Sequence, residues 1–171
     1  MNIHDKILSE VKRLKNNKIA YERAQPVDVD EKKIKLVIFM LLDDYYALRA
    51  DYIKEILICP KITYVPLESD FILGVISVRG DIESVLDLHI LLGIPSTEIS
   101  ATSRLVIAEI NGIRSAILLD RLIDVIDVSQ STILPPIACP TRFPFTECGL
   151  EFKDKFTIVL DLDKIFKKIT P

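Results

Sequence analysis

Lys35-Leu36-Val37-Ile38 is answered 69 positions later by Arg104-Leu105-Val106-Ile107, and around these two tetrapeptides the chain repeats itself. At the same displacement Ala47 falls on Ala116, Asp51 on Asp120, Thr63 on Thr132 and Pro66 on Pro135. The apolar pattern agrees as well: Ile53 meets Leu122, Ile56 meets Val125 and Leu57 meets Ile126. Further along the displacement grows to 74–75, so that Gly74-Val75 meets Gly149-Leu150 and Val85-Leu86-Asp87-Leu88 meets Val159-Leu160-Asp161-Leu162. One extended unit therefore occurs twice, over about 34–94 and about 103–168. A unit of roughly 60 residues is marginal alone, so the two copies are expected to pack on each other and share a core.

Within each copy the pattern is one of short β-branched runs broken by turns: Leu36–Leu42, Tyr45–Leu48, Tyr52–Ile58, Val75–Val78, Ser84–Leu86, Leu105–Ile110, Ile113–Leu119, Leu122–Val128 and Phe156–Leu160. Asp43-Asp44 and Asn111-Gly112 separate consecutive runs, and Asn-Gly between apolar stretches is a strong hairpin signal because both residues tolerate positive φ. Many short strands with close turns predict an all-β body with minor α, of small barrels or sandwiches. Each copy ends in a strand running into a short helix, Leu86–Leu92 and Leu160–Lys168. Asp87 and Asp161 are placed to cap these helices, a structural role.

Residues 1–33 differ. Ile3, Ile7, Val11, Leu14 and Ile19 recur at near-helical spacing among polar residues, which predicts one amphipathic helix stopped near Pro26 and a charged linker to Lys33. This segment reads as a mobile extension or as a helix packed on the body or on a partner.

Composition narrows the function classes. The 171 residues are 49% hydrophobic and 27% charged, with net charge −3 and mean hydropathy +0.30. Nucleic-acid binders usually carry a strongly basic balance, which is missing here. The apolar run Leu36–Leu42 is far short of the roughly 20 residues needed to span a bilayer, and a cytoplasmic protein is expected. Cys59, Cys139 and Cys148 form no C-x-x-C and are expected to be bystander thiols. No Gly-rich phosphate loop and no nucleophile elbow occurs. His4 and His89 are the only histidines, and His89, in Asp-Leu-His-Ile-Leu-Leu, is expected at the surface or half-buried rather than as a general base. No catalytic residue, metal site or cofactor is predicted.

One stretch invites a specific reading: Gly74-Val-Ile-Ser-Val-Arg79-Gly80-Asp-Ile-Glu-Ser-Val-Leu-Asp-Leu88. An arginine among β-branched residues is costly to half-bury unless it is paired. Glu55, in Tyr52-Ile-Lys-Glu-Ile-Leu, is the candidate partner, and a charge-assisted bond would pin two strands of the first copy. An exposed arginine before a turn at Gly80-Asp81 is the alternative, and the pattern alone leaves both open.

These same stretches resemble the CheW-like adaptor domain of bacterial chemotaxis. The likeness rests on Leu36-Val-Ile-Phe with Tyr52-Ile-Lys-Glu55-Ile. It continues through Ile62-Thr-Tyr-Val-Pro66, the G-V-x-x-x-R-G run from Gly74 to Gly80, Val85-Leu-Asp87-Leu88 and Leu92-Gly93, and then Arg104-Leu-Val-Ile, Leu119-Asp120-Arg-Leu-Ile-Asp-Val125 and Ile158-Val-Leu-Asp-Leu. Tyr21-Glu-Arg-Ala-Gln-Pro26 is similar to a segment preceding this domain in some members.

The resemblance implies two five-stranded SH3-like β-barrels sharing a core, the first over about 34–94 and the second over about 103–168. It implies a scaffold, not an enzyme, that couples chemoreceptors to the histidine kinase CheA in arrays at the inner face of the membrane. A receptor tip would lie in the groove between the barrels, and the kinase regulatory domain would dock on the barrel surfaces. Positions matching Ile53, Glu55, Gly74 and Arg79 are associated with this coupling, with Ile53 as an apolar anchor or plain core and Gly74 acting through backbone conformation.

The chain departs from the pattern at Ser84, where the family often has proline, and at Lys153-Asp154, which replaces R-G in the second copy. Phe143-Pro-Phe-Thr-Glu-Cys-Gly149, with the three prolines before it, reads as a connector or as a pathway-specific contact surface, the connector being the expectation. The competing class is a small β-barrel module for peptides or oligonucleotides.

Overall fold

The computed structural model describes residues 31–67, 69–134 and 145–170, together with Ser9 and Arg13, both helical. The amphipathic pattern of 1–33, the prolines Pro135, Pro136 and Pro140, and Cys139 therefore lie almost wholly outside the described residues.

Among the described residues from 31 on, ten strands and two short α-helices follow in chain order: β1 (Lys33–Leu41), β2 (Asp44–Arg49), β3 (Ile53–Ile58), β4 (Ile72–Val78), β5 (Asp81–Asp87), α1 (Leu88–Leu92), β6 (Arg104–Ile110), β7 (Ile113–Leu119), β8 (Arg121–Ser129), β9 (Thr146–Phe152), β10 (Lys155–Leu160) and α2 (Leu162–Ile169). They form two five-stranded sheets, ordered β8-β1-β2-β10-β9 and β3-β6-β7-β5-β4. This is the all-β architecture with minor α that the strand pattern predicts. The predicted connector Phe143–Gly149 is corrected in its second part. Thr146 to Gly149 belong to β9, where Cys148 is buried and pairs with Val159.

The second sheet superposes on the first in its pairing rules. Antiparallel β1·β2 corresponds to β6·β7, and antiparallel β1·β8 to β6·β3. Parallel β10·β2 corresponds to β5·β7, and antiparallel β9·β10 to β4·β5. Even the bulges repeat. The register slips at Lys54 in β3 and at Ile123 in β8, and again at Leu73 in β4 and at Glu147 in β9.

The boundaries 34–94 and 103–168 mark the repeat but not the sheets. The first sheet takes β1 and β2 from the first copy and β8 to β10 from the second; the other sheet takes β3 to β5 and β6 to β7. The physical reason lies in the strand faces. Ile34, Leu36 and Ile38 of β1 fill one barrel with Ala47, Leu150 and Val159, while Phe39 and Leu41 point the other way. In β6, Leu105 and Ile107 fill the second barrel, and Val106, Ala108 and Ile110 join Phe39 and Leu41 in a central cluster. A strand buried on both faces reads as a continuous apolar run and not as an alternation, as 36–41 does.

The helices close the central cluster. Leu88 and Leu92 of α1 and Leu162, Ile165 and Phe166 of α2 all pack into it. Asp87 accepts a bond from the His89 amide at 2.8 Å and Asp161 one from the Lys164 amide at 3.1 Å, so both predicted N-caps hold.

Candidate functional site

β3 and β4 are the two edges of their sheet. The chain leaves β4 at Val78 and turns through Arg79 (φ 51°) and Gly80 (φ 91°) into β5. Both central residues have positive φ, as a type I′ hairpin requires. From this turn Arg79 reaches back to the opposite edge, where its Nη2 donates to Glu55 Oε1 at 2.7 Å. The pair therefore forms and ties edge to edge, and the alternative of an exposed arginine at this turn holds as well. The arginine side chain remains 80% exposed against 23% for the glutamate. Glu55 is thus held in the wall, and most of the guanidinium faces outward.

The bulge at Lys54 sets this geometry. Ile53 pairs with Ala108 and Glu55 with Ile107, leaving Lys54 as the extra residue. A bulge shifts side chains by one position relative to the pleat. Ile53 and Ile56 accordingly pack against the central cluster and Leu57 against the core of the second barrel. Ile53 is half-buried, part core and part surface.

Gly74 is buried beside the segment that covers β4. Thr63 and Val75 exchange two backbone bonds, each 2.8 Å. A Cβ on Gly74, whose φ is 151°, would stand 2.2 Å from the Thr63 carbonyl oxygen. Its role is close backbone approach, which lets the covering segment lie against β4. Ile82, three residues past Arg79, is 71% exposed. The structure thus brings Arg79 and Glu55 into contact, places Ile53 on the same β3 strand but toward the central cluster, and puts Gly74 beneath the surface.

The second copy is an internal control. Its corresponding turn, Lys153 (φ 47°) and Asp154 (φ 61°), keeps the positive-φ backbone without a glycine. Its residues engage locally: the Lys153 ammonium lies 5.1 Å from the centroid of the Phe152 ring, and Asp124, which matches Glu55, accepts from the Val125 amide. The turn conformation therefore does not depend on the R-G pair.

A buried polar cluster escaped the sequence reading. His89 is 1% exposed, not half-buried as expected. Its Nδ1 lies 2.7 Å from Asp87 Oδ1 and its Nε2 3.1 Å from Asp120 Oδ2. Burial pushes the histidine down, but the bonds to Asp87 and Asp120 outweigh it, and the net direction is up. For Asp87, burial pushes up, and the bonds from the His89 ring and amide bring it below the usual carboxylate range. The nearby Asp43 and Asp44 stay in or beside the β1–β2 turn, exposed to solvent.

Other chemistry is thin. Burial pushes the Cys59 thiol up, away from thiolate reactivity. Among the described residues no group of three His, Cys, Asp or Glu side chains could hold a metal ion. No helix among them is long and apolar enough to cross a membrane. An open groove of about 270 Å³ runs between α2 and the β6–β7 hairpin, lined by Ile110, Ile113 and Phe166, with Asp163 paired to Lys167 at its rim.

Comparison with known proteins agrees with this geometry. The CheW-like domain family matches residues 35–170. The chain belongs to the CheW-like family. It is 34% identical over 99 residues to the chemotaxis protein CheW of Bacillus subtilis, a match covering 58% of the chain and 64% of that protein. It is 29% identical over 140 residues to the chemotaxis protein CheW of Thermotoga maritima, covering 81% of the chain and 91% of that protein. The crystal structure of the scaffolding protein TtCheW from Thermoanaerobacter tengcongensis matches with a TM-score of 0.70 at 30% identity, covering 81% of this chain and 90% of that one. CheW-like proteins are chemotaxis scaffolds and adaptors without catalysis.

Proposed function

We propose that this CheW-like chain is a coupling adaptor that links transmembrane chemoreceptors to the histidine kinase CheA by binding equilibria alone. Arg79, Glu55 and Ile53 form the contact surface, and Gly74 supports it from beneath. The observation that carries this reading is the Arg79–Glu55 bond. It closes the second barrel edge to edge while leaving the guanidinium outward, which is the arrangement of a presented contact and not of a core ion pair.

A guanidinium carries five N–H donors in a fixed fork. One bond to Glu55 orients it and leaves the fork open to a partner's carboxylate or carbonyl groups. Half-buried Ile53 supplies an aliphatic anchor for an amphipathic helix laid in a groove. The protein would reside in the cytoplasm and reach the membrane's inner face through receptor arrays.

The test is a pull-down with a chemoreceptor cytoplasmic tip and a CheA regulatory domain from the same source. Capture of both by the wild-type chain, with loss of at least one by Arg79→Ala at unchanged circular dichroism, supports the reading. Capture of neither by the wild type overturns it.

A further inference from the structure

The cluster around His89 joins three parts of the chain that are far apart in sequence. Asp87 ends β5 and caps α1, so one carboxylate oxygen, Oδ1, receives both the His89 amide at 2.8 Å and the His89 ring at 2.7 Å. Asp120 follows β7 in the second copy. Its Oδ2 accepts from the His89 ring at 3.1 Å and from the Leu42 amide at 2.8 Å, and Leu42 sits in the β1–β2 turn of the other sheet. The connector between the copies is stitched to the same two acids. The Thr97 hydroxyl donates to Asp120 Oδ1 at 2.7 Å and the Thr102 hydroxyl to the Asp120 carbonyl at 3.0 Å, while Ser96 lies 3.5 Å from Asp87 Oδ2.

Both ring nitrogens face carboxylate oxygens. A neutral imidazole has one donor and one lone pair, so one of these contacts would set a lone pair against an anion. Only the imidazolium donates at both ends, and charge-assisted bonds of this kind are the stronger ones. The charged groups bonded to the ring are Asp87, from the cap of its own helix, and Asp120, from the end of β7. The connector offers the Ser96 and Thr97 hydroxyls and the β1–β2 turn the Leu42 amide, all uncharged.

We propose that His89 is a buried imidazolium cation clamped between Asp87 and Asp120, and that its proton latches the connector 93–103 and the two sheets together. Losing the proton turns one ring nitrogen into an acceptor facing Asp87 or Asp120. That loosens Asp120 from α1 and frees the connector first, since its Ser96 and Thr97 hydroxyls are held by the two carboxylates.

The sign follows from linkage. Folding raises the histidine's proton affinity, so this stabilisation is complete below the ordinary histidine value of about 6.5 and fades as pH climbs through the raised folded value. Asp87 works in the other direction: its share is complete above the ordinary carboxylate value of about 3.9 and fades as pH falls through the lowered folded value.

The direct test is proton and nitrogen NMR on the full-length chain, which has only two histidines, His4 and His89. The expected result is a His89 titration midpoint above that of His4, with both ring N–H protons present at pH 7. A His89 midpoint at or below that of His4, or a single protonated ring nitrogen at pH 7, overturns the latch. Hydrogen exchange gives the second readout. Between pH 7 and pH 9, after correction for the intrinsic rate, the 94–103 amides should lose protection at least tenfold more than those of β6. In His89→Gln that additional loss should vanish, because the connector is already loose at pH 7. Equal loss in both segments of the wild type overturns the coupling to the connector.

Discussion

Arg79 and Glu55, 24 positions apart, hold together the two edges of one five-stranded sheet, with the arginine four-fifths exposed and the glutamate mostly covered. Exposed ion pairs contribute about 0.2–1 kcal/mol. Arg79→Ala should therefore shift the urea midpoint only slightly while weakening capture of receptor tip or kinase domain at least tenfold. The charge swap Arg79→Glu with Glu55→Arg separates the two roles. It restores an edge-to-edge pair, yet should not restore capture, since the outward group then carries the opposite sign. Recovery of capture by the swap would show that the pair only closes the barrel.

Gly74→Ala should behave in the opposite way. The new Cβ meets a backbone oxygen at 2.2 Å, and the segment that carries Thr63 must move. Two backbone bonds and a strained φ are at stake, so a loss of about 2–4 kcal/mol is expected in equilibrium urea unfolding. Any loss of partner binding should track this loss of fold. Gly80→Ala meets nothing within 4 Å, and its cost should stay near the backbone penalty of about 1–2 kcal/mol.

Asp87 and Asp161 occupy matching caps with unequal duties. Asp161→Ala removes a cap and should cost about 1 kcal/mol. Asp87→Ala also strips a partner from the buried His89, and breaking a buried charge pair costs about 3–5 kcal/mol. Thermal unfolding of the two variants at pH 6 should separate them clearly. Equal destabilisation would show that Asp87 is a cap and nothing more.

The turn at Lys153-Asp154 holds two non-glycine residues at positive φ. Replacing it by Asn-Gly, the pair that type I′ turns favour, should stabilise the protein by about 0.5–1.5 kcal/mol. Capture of receptor and kinase should not change. A loss of capture would place a partner contact on the β9–β10 turn, in the barrel that does not carry Arg79.

Much of this was legible in the residues. The repeat showed the strands, the caps and the helices, and the residues around Arg79 offered two readings, a pair with Glu55 and an exposed arginine before a turn, both of which the structure holds. Gly74 was readable as a backbone requirement because no side-chain role suits a glycine.

Three features were not legible, each for a physical reason. Thr146 to Gly149 follow a proline-rich run and contain no β-branched cluster, so β9 is made by its partners β10 and Leu134 rather than by its own propensity. His89 sits among leucines, and Asp120, which helps explain its burial, is 31 residues away. The pairing of β1 with β8 and of β3 with β6 cannot be read from the repeat. Like strands in the two copies have like patterns, and only the shared core decides which partner each takes.

That exchange of strands has a consequence for how the molecule comes apart. Neither half of the chain owns a complete sheet: 34–94 lacks the flanking strands of its own first hairpin, and 103–168 lacks those of β6 and β7. A nick within 95–102 should yield two pieces that are unfolded alone and reconstitute a native whole on mixing. The duplicated ancestry notwithstanding, the protein should melt as one indivisible unit, with a single transition where two tandem modules would show two.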